Sequence, residues 1–397
     1  MSNISFLEKL LDGADVEWKA LGDVTNVLRG KRLTKSQLSD GEKFPVYHGG
    51  LEPLGNYAES NRPANTVMII NVGASAGTVG YSSVDFWSSD GCFCLEHNEL
   101  VNNRFLYFVL IGHQNLLQSR VRVASIPTLD AIVVEKLQIP VPCPENPEKS
   151  LEIQAEVVRI LDAFTELTAE LAAELTARKK QYNYYRDQLL SFEEGEVEWK
   201  TLGEIGEVRM CKRVLKSQTS SEGEIPFYKI GTFGKEPNAY IPRSLFEEYK
   251  AKYSYPKIGE VLISASGTIG RTVIFDGEDA FFQDSNIVWI ENDESVVLNK
   301  FLFYFYKIAN WGVSEGGTIQ RLYNDNLRKL LIPIPFPNDF KKSLAEQARI
   351  VTILDKFDAL TNSITEGLPC EITLRQKQYE YYRDLLLSFP KPEEAAA

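Results

Sequence analysis

Hydrophobic and polar residues alternate along this chain in two different ways. In residues 20–140 and 201–335, short apolar runs such as Thr66–Ile70 and Glu260–Ser264 are separated by Gly, Pro, Asn and Asp, which favours strands joined by turns. Apolar stretches of helical type, such as Phe105–Leu110, lie between these runs. Each region is therefore predicted to be a mixed unit of α-helices and β-strands.

The residues that follow the first region have the spacing of a long helix, because apolar residues recur three or four positions apart. Neither Pro nor Gly interrupts the stretch from Leu151 to Glu194. A similar seam begins at Ile353 and is broken by Gly367 and Pro369. A helix of this kind needs a partner for its seam, so we expect the two copies to form an antiparallel coiled coil. The predicted seam positions of the first copy are Ile153, Val157, Ile160, Phe164, Leu167, Leu171 and Leu175.

The chain contains an internal repeat. Val16–Tyr47 and Val197–Tyr228 are identical at 15 of 32 positions, and Arg178–Phe192 and Arg375–Phe389 at 12 of 15. Identities in the same order at both ends of each half indicate a duplicated arrangement of globular domain and helix. The predicted fold class is therefore α+β, with two mixed α/β domains joined by long helices in a pseudo-twofold repeat. The predicted segments are a first domain (1–146), a central helical spacer (147–195), a second domain (196–337), a C-terminal helical spacer (338–390) and a tail (391–397).

Composition narrows the class of protein. Apolar residues make up 44% and charged residues 25% of the 397 residues, which is typical of a globular protein. No apolar run approaches the roughly 20 residues of a membrane helix, and the N-terminal residues do not resemble a signal peptide. The 5 cysteines show no disulfide or zinc-ligand spacing. We therefore expect a cytoplasmic protein that binds no metal.

Motifs of catalysis are missing from the sequence. It has no phosphate-binding G-x-x-x-x-G-K-[ST] loop and no Asn/Asp-Pro-Pro-aromatic tetrapeptide of amino-methyltransferases. The glycine-rich loop Gly73–Gly80 lacks dinucleotide-binding spacing, and Glu17–Lys19 and Glu198–Lys200 have the Glu-x-Lys of nucleases without an acidic partner. We predict a chain with no catalytic residues and no cofactor of its own. The alternatives are a self-contained nuclease or methyltransferase with a duplicated fold, or a coiled-coil scaffold that binds proteins.

Basic residues indicate nucleic acid despite the net charge of −12, because binding depends on local patches. One cluster of Lys, Arg and Gln recurs at equivalent places in both domains, where it suits contacts to phosphates and to base edges. The glycine loops are predicted either to approach DNA or to be tight turns, and the alternative interpretation of the basic clusters is a solvated charged loop. The candidate DNA-binding residues are Arg29, Lys31, Arg32, Lys35, Gln37, Tyr47, Ser75, Thr78, Arg209, Lys212, Arg213, Lys216, Gln218, Tyr228, Ser266, Thr268, Gln320 and Arg321.

The tyrosine-rich helix ends are candidates for binding partner proteins. Aromatic and leucine side chains at helical spacing share one face, as in many interface anchors. They could equally close the helix pair within the chain. The candidates are Tyr182, Tyr185 and Leu189 in the first copy and Tyr379, Tyr382 and Leu386 in the second.

The Thr-Ala-Glu-Leu type repeat at Thr168–Leu175 and the two endings Tyr184–Phe192 and Tyr381–Phe389 resemble the specificity subunits of type I restriction–modification systems, in particular the IC family. The resemblance covers the whole chain. It implies two target-recognition domains that read a bipartite DNA target, and a helical repeat that sets the gap between its halves. One departure is a spacing of 20 residues from Asp355 to Arg375 against 16 from Asp162 to Arg178.

The same resemblance implies the partners. Two modification subunits would carry S-adenosylmethionine and methylate adenine N6. Two restriction subunits would use ATP and Mg²⁺ for translocation and cleavage. None of this catalysis would belong to the present chain.

Overall fold

The computed structural model describes residues 6–96, 98–193, 197–312 and 321–390. Contacts group the chain into two compact units: unit 1 contains residues 1–172 and 371–397, and unit 2 contains residues 173–370. Each unit therefore combines one repeated globular region with helical segments from both copies.

Unit 1 is built from the apolar runs that turns separate in the sequence. Its helices are α1 (Phe6–Leu11), α2 (Leu21–Val24), α3 (Asn103–Gly112), α4 (Gln114–Ser119), α5 (Ala131–Glu135) and the beginning of α6 (Pro147–Leu189). Its strands are β1 (Val16–Ala20), β2 (Val27–Arg29), β3 (Phe44–Tyr47), β4 (Asn56–Tyr57), β5 (Thr66–Ile70), β6 (Val79–Ser82), β7 (Trp87–Ser88), β8 (Cys92–Leu95) and β9 (Gln138–Pro142).

The main sheet of unit 1 has the antiparallel strand order β2-β8-β5-β6. All residues of β5 are buried, because side chains alternate between two packed faces. Val67 and Ile69 join the core that includes α3, whereas Met68 and Ile70 pack with Phe86 on the other face. A smaller sheet has the order β4-β3-β7, and the pair β1-β9 joins the two ends of the globular region.

Unit 2 repeats this architecture. Its strands are β10 (Val197–Thr201), β11 (Glu207–Arg209), β12 (Ile225–Tyr228), β13 (Tyr240–Ile241), β14 (Val261–Ser264), β15 (Thr272–Ile274), β16 (Phe281–Phe282), β17 (Ile287–Glu291) and β18 (Leu331–Pro335). The orders β11-β17-β14-β15, β13-β12-β16 and β10-β18 match those of unit 1 strand for strand. Its helices are α7 (Leu202–Ile205), α8 (Arg243–Lys252), α9 (Asn299–Tyr306), α10 (Asn324–Lys329), α11 (Phe340–Asn362) and the first residues of α12 (Gly367–Leu386).

The spacer helices are fastened to the sheet domains by equivalent contacts in both units. In unit 1, the buried Gln154 amide accepts a 2.8 Å hydrogen bond from the Asn102 backbone N–H and donates one to the Leu100 carbonyl. In unit 2, Gln347 accepts from the Leu298 backbone N–H at 2.8 Å. Ion pairs join the same elements, with Arg104 on Asp162 and Lys300 on Asp355, each at 2.7 Å.

The predicted seam of α6 is partly wrong in phase. Ile153, Val157 and Leu161 are buried, and burial then continues in part through Phe164, Thr168, Leu171, Leu175 and Arg178 to the buried Tyr182. Leu161 therefore takes the place expected for Ile160, and Thr168 takes that of Leu167, which is exposed. Leu161 follows Val157 by four residues, whereas the predicted seam residue Ile160 follows it by three. The observed seam therefore differs from the predicted seam by one residue at positions 161 and 168, and the two agree again at Phe164 and Leu171.

The predicted break in the second helical copy lies between α11 and α12. Gly367 has φ +75°, and a Cβ there would clash with the Ala359 carbonyl, so glycine is required at this turn. Pro369 lies in the first turn of α12, where proline is compatible with a helix.

Each unit is completed by the end of a spacer helix. In unit 1, Leu386 and Phe389 join the core, and the Trp18 indole N–H donates to the Pro390 carbonyl at 2.8 Å. In unit 2, Tyr182 and Leu190 join the core.

The predicted α+β class with an internal repeat and long helices is confirmed. In the described part of the chain, no helix is both long enough and apolar enough to cross a membrane.

Candidate nucleic-acid interface

One end of the main sheet in unit 1 gathers the DNA-binding residues that were predicted for this unit. At this end, which we call the loop end, β2 and β5 finish and β6 and β8 begin, as the pairs Arg29–Phe93, Ile70–Cys92 and Ile69–Val79 show. Backbone N–H groups join the segments beyond the strands: Lys31 donates to Ser88, Asn71 to Gly91 and Ser89 to Tyr47, at 2.9–3.1 Å. The basic segment, the glycine loop and Tyr47 are therefore neighbours.

The basic segment of unit 1 contains a single turn of 3-10 helix, Lys35–Gln37. The Gln37 amide oxygen accepts from the Thr34 backbone N–H at 2.9 Å and from its hydroxyl at 2.8 Å. Gln37 is thus a cap of this turn, and its oxygen is not free to read a base. Base contact by Gln37 therefore stays a prediction that only its amide N–H groups could fulfil in this conformation.

The cations of this segment are uncompensated. Lys31, Arg32 and Lys35 are exposed, and none of them forms an ion pair within the described residues. Arg29 is also exposed, and its Nε donates to the Asp90 carbonyl at 3.0 Å. Their positive potential is therefore available to a phosphate backbone.

The equivalent loop end of unit 2 has the same turn but a different charge balance. Gln218 accepts from the Leu215 backbone N–H at 2.8 Å and so caps the turn Lys216–Gln218. Lys216 is exposed and has no ion pair in the part of the chain that the structure describes. The repeated Lys-Ser-Gln motif therefore encodes a turn that presents one lysine.

Arg209, another predicted cation of unit 2, is compensated by carboxylates. Arg209 lies 2.8 Å from carboxylates of both Glu207 and Glu291. The Arg209 hydrogen bond is the main cause of the lowered pKa of Glu291, which stays ionised. Two carboxylates beside one guanidinium oppose a phosphate, so this arrangement does not favour the predicted DNA contact of Arg209.

Lys212 and Arg213 differ in their local partners. The Lys212 ammonium lies 4.7 Å from the Tyr253 ring centroid, and Arg213 pairs with Asp284 at 2.7 Å. Both side chains are exposed at the loop end.

The glycine loops are turns that pack against their own unit. A Cβ at Gly77 would lie 2.9 Å from the Gln118 backbone, so the close approach here is to α4. Ser75 and Thr78 lie half-buried in this turn. In unit 2 the buried Ser266 hydroxyl donates to the Asn286 amide oxygen at 2.7 Å, so Ser266 is not a free donor, whereas Thr268 is exposed.

The predicted aromatic contacts are also held within the domains. Tyr47 packs edge-on against Phe86 at 5.5 Å, and Tyr228 stacks on Phe282 at 5.8 Å. Burial, together with Glu236 and other nearby carboxylates, raises the pKa of Tyr228. Such acidic surroundings disfavour DNA at Tyr228. Arg321 is exposed beside Ser266, whereas Gln320 lies outside the described residues.

The predicted partner-binding residues divide into buried and exposed sets. Tyr182 is 6% and Leu386 1% exposed, so both act in the intramolecular cores, and the prediction of partner contact by these two is corrected. Burial raises the pKa of Tyr182 to about 12. Tyr185 and Tyr382 stack on Phe357 and Phe164 at 5.7 and 5.3 Å, yet remain 40% and 37% exposed. Leu189 and Tyr379 are half-buried against the cores of unit 2 and unit 1, respectively.

Sequence reasoning missed residues 120–128 of the first loop end. Arg120, Arg122, Val123 and Ile126 are all exposed there. No motif identifies them, because apolar residues in a β-rich region are read as core positions.

The described ranges contain no group of three or more His, Cys, Asp or Glu side chains that could hold a metal ion. All five cysteines are free thiols.

The duplicated sheet domains define a known class. The family model for the type I restriction modification DNA specificity domain matches twice, over residues 14–178 and 194–374. The chain therefore belongs to the family of type I restriction–modification specificity subunits, as the sequence motifs predicted.

Particular relatives cover the whole chain. A Haemophilus influenzae protein named as a type I restriction enzyme specificity subunit is 51% identical over 98% of this chain and 99% of its own. The EcoR124I/EcoR124II specificity subunit of Escherichia coli is 39% identical over 99% of each chain. The crystal structure of a type I S subunit from M. genitalium matches with a TM-score of 0.60 over 96% of this chain and 98% of that one, and at 16% identity this likeness concerns the fold.

Proposed function

We propose that this chain is the DNA-reading subunit of a type I restriction–modification complex, in which each sheet domain reads one half of a bipartite target. The observation that carries the proposal is that a DNA-specificity family matches once in each unit. The exposed basic turn at each loop end supports it, because cations without compensation attract phosphates.

The two loop ends differ in the number of cations that are available to contact phosphates. In its basic segment, unit 1 presents Lys31, Arg32 and Lys35 without ion pairs among the described residues, whereas the equivalent segment of unit 2 presents Lys212 and Lys216. The basic segment of unit 1 therefore contributes more of the salt-dependent affinity than that of unit 2. In unit 2, Thr268 is exposed within the glycine loop and Arg321 is exposed beside Ser266 of that loop, so both are candidates for base contacts.

The catalytic steps belong to partner subunits in this proposal. Two modification subunits carry S-adenosylmethionine and methylate adenine N6, and two restriction subunits use ATP and Mg²⁺. The exposed Tyr185 and Tyr382, on equivalent helix ends, are candidates for binding the modification subunits. The assembly acts on DNA in the cytoplasm, and this chain itself has no catalytic role.

The experiment that tests the proposal exchanges one sheet domain for that of a relative and maps methylated adenines in a host carrying the operon. The pairs β1-β9 and β10-β18 give the natural graft points, because each joins the two ends of one domain. Replacing residues 16–142 should change only one half of the methylated motif, and replacing residues 197–335 should change only the other half. A motif that changes in both halves after one exchange, or in neither, would contradict the proposal.

A further inference from the structure

We propose that residues 121–128, which we call the finger, are a second DNA-contacting element of unit 1 in which Val123 and Ile126 touch apolar surface of the duplex. The inference rests on the proposed function, in which unit 1 reads half of the target.

The tip of the finger exposes two aliphatic side chains to water. Val123 is 90% and Ile126 59% exposed, and only Ala124 and Ser125 separate them. Single exposed apolar residues are common, but two at one tip form a local patch. Both side chains are β-branched, so each loses little rotational freedom when it is held against a ligand.

The base of the finger is fixed by backbone hydrogen bonds. The N–H groups of Arg122 and Thr128 each donate to the other's carbonyl, at 2.8 and 3.2 Å. The Gly73 N–H donates to the Pro127 carbonyl and the Leu129 N–H to the Asn71 carbonyl, both at 2.9 Å. The tip is therefore presented from a fixed base, as a recognition element requires.

The finger rises from the loop end that carries the basic turn. Leu129 is bonded to Asn71, and the Asn71 N–H donates to the Gly91 carbonyl at 3.1 Å. Arg29 donates to the carbonyl of Asp90, the neighbour of Gly91, at 3.0 Å. Two backbone hydrogen bonds and the Arg29 side-chain bond therefore connect the base of the finger to the strand end from which the basic turn begins.

The charge around the tip favours a polyanion over an apolar protein partner. Arg120 precedes the finger, Arg122 lies at its base, and no acidic residue lies between Arg120 and Thr128. Arg122 pairs with Asp130 at 3.3 Å, but its side chain remains 67% exposed. An apolar tip with arginines at its stem suits a DNA groove, where arginines meet phosphates and aliphatic groups meet thymine methyls or base faces.

The first test replaces the tip with polar residues in the assembled methyltransferase. The V123S/I126S variant should bind its target at least about tenfold more weakly, because two aliphatic contacts are lost. The slope of affinity against salt should not change, since no charge is removed. V84S is the matched control, because Val84 is 52% exposed and lies just after Ser82, at the opposite end of β6 from the loop end. The V84S variant should therefore bind the target as tightly as the wild type.

The outcomes separate the alternatives. Intact assembly with weakened binding and an unchanged slope supports the finger. Unchanged binding overturns it, and loss of the modification subunits overturns it in favour of a protein-docking surface. A target duplex with uracil in place of thymine lacks the thymine methyl groups. If the wild type binds it more weakly than the thymine duplex and V123S/I126S does not, the finger contacts methyl groups. If the affinity of both proteins is the same for the two duplexes, the finger contacts base faces. If the wild-type complex binds no DNA, the proposed function itself fails.

A second measurement does not depend on the polar variant folding well. Of the native cysteines, Cys92, Cys94, Cys143 and Cys211 are buried and Cys370 is half-buried, so a thiol at position 123 should react fastest with maleimide. Target duplex should slow the labelling of V123C in the assembled complex and leave V84C unaffected. Equal labelling of V123C with and without target DNA would overturn the proposal.

Discussion

Replacing Lys31, Arg32 and Lys35 by Ala is expected to flatten the salt dependence of DNA binding by the assembled methyltransferase. These side chains have no carboxylate partner among the described residues, so each can replace one counterion on a phosphate. Each lost contact lowers the log–log slope by about 0.9, which gives about 2.7 for three. Over a change from about 50 to 200 mM salt, a slope difference of about 2.7 corresponds to roughly a 40-fold difference in affinity.

The equivalent change in unit 2 removes the same formal charge and is the matched control. Lys212, Arg213 and Lys216 include one cation that is held by Asp284 and one that lies over the Tyr253 ring. The Tyr253 ring does not neutralise Lys212, so Lys212 and Lys216 are the two cations without a carboxylate partner among the described residues, and the slope should fall by only about 1.8.

Fluorescence anisotropy of labelled target duplex across a salt series measures both slopes, with thermal unfolding as a check on folding. Equal slope changes in the two variants would show that local ion pairs do not control phosphate contact. No change in either variant would show that the basic turns are solvated surface.

Q37A should weaken binding in the same assay because Lys35 loses its capped turn, but the methylated motif should stay the same; an altered motif would show that Gln37 reads a base. Y182A should destabilise the chain by about 3–5 kcal/mol in chemical unfolding, since a buried aromatic is removed, and a loss below 1 kcal/mol would contradict its place in the core. Y185A should have a small effect on stability but reduce assembly with modification subunits in native mass spectrometry; full assembly would exclude this anchor. Insertion of one Thr-Ala-Glu-Leu after Leu175 should lengthen α6 by about 6 Å and rotate the residues that follow by about 40° beyond a full helical turn. Because one base pair rotates DNA by roughly 35°, the methylated motif should gain one unread base pair between its two halves. An unchanged gap would show that the repeat does not set the distance between the half-sites.

Much of the fold was predictable because the sequence states it twice. The runs Thr66–Ile70 and Glu260–Ser264 contain strands β5 and β14, and the helical spacing from Ile153 predicted α6. The predicted seam is wrong at Ile160 and Leu167 because several apolar residues are adjacent in α6. Spacing alone cannot choose between neighbours such as Ile160 and Leu161, and packing against the sheet domain decides.

The interface was less predictable because hydrogen-bond partners depend on local geometry. Gln37 and Gln218 have the composition of base-reading residues, yet each closes its own turn. The carboxylates that compensate Arg209 come from its own strand and from a neighbouring strand distant in sequence. Apolar residues such as Val123 give no sequence sign of exposure, since the same residue types fill the core.

Both units share one frame but differ at the loop end, and this difference has a functional consequence. Equivalent glutamines, Gln154 and Gln347, and equivalent aspartates, Asp162 and Asp355, hold the spacer helices to the sheets. These contacts lie outside the loop ends, where charge compensation and turn packing differ between the units. A substitution in the frame should therefore change stability in either unit alike, whereas one at a loop end should change binding of one half-site. Separation of this kind lets a duplicated chain alter half of its target while it keeps the same scaffold for its partners.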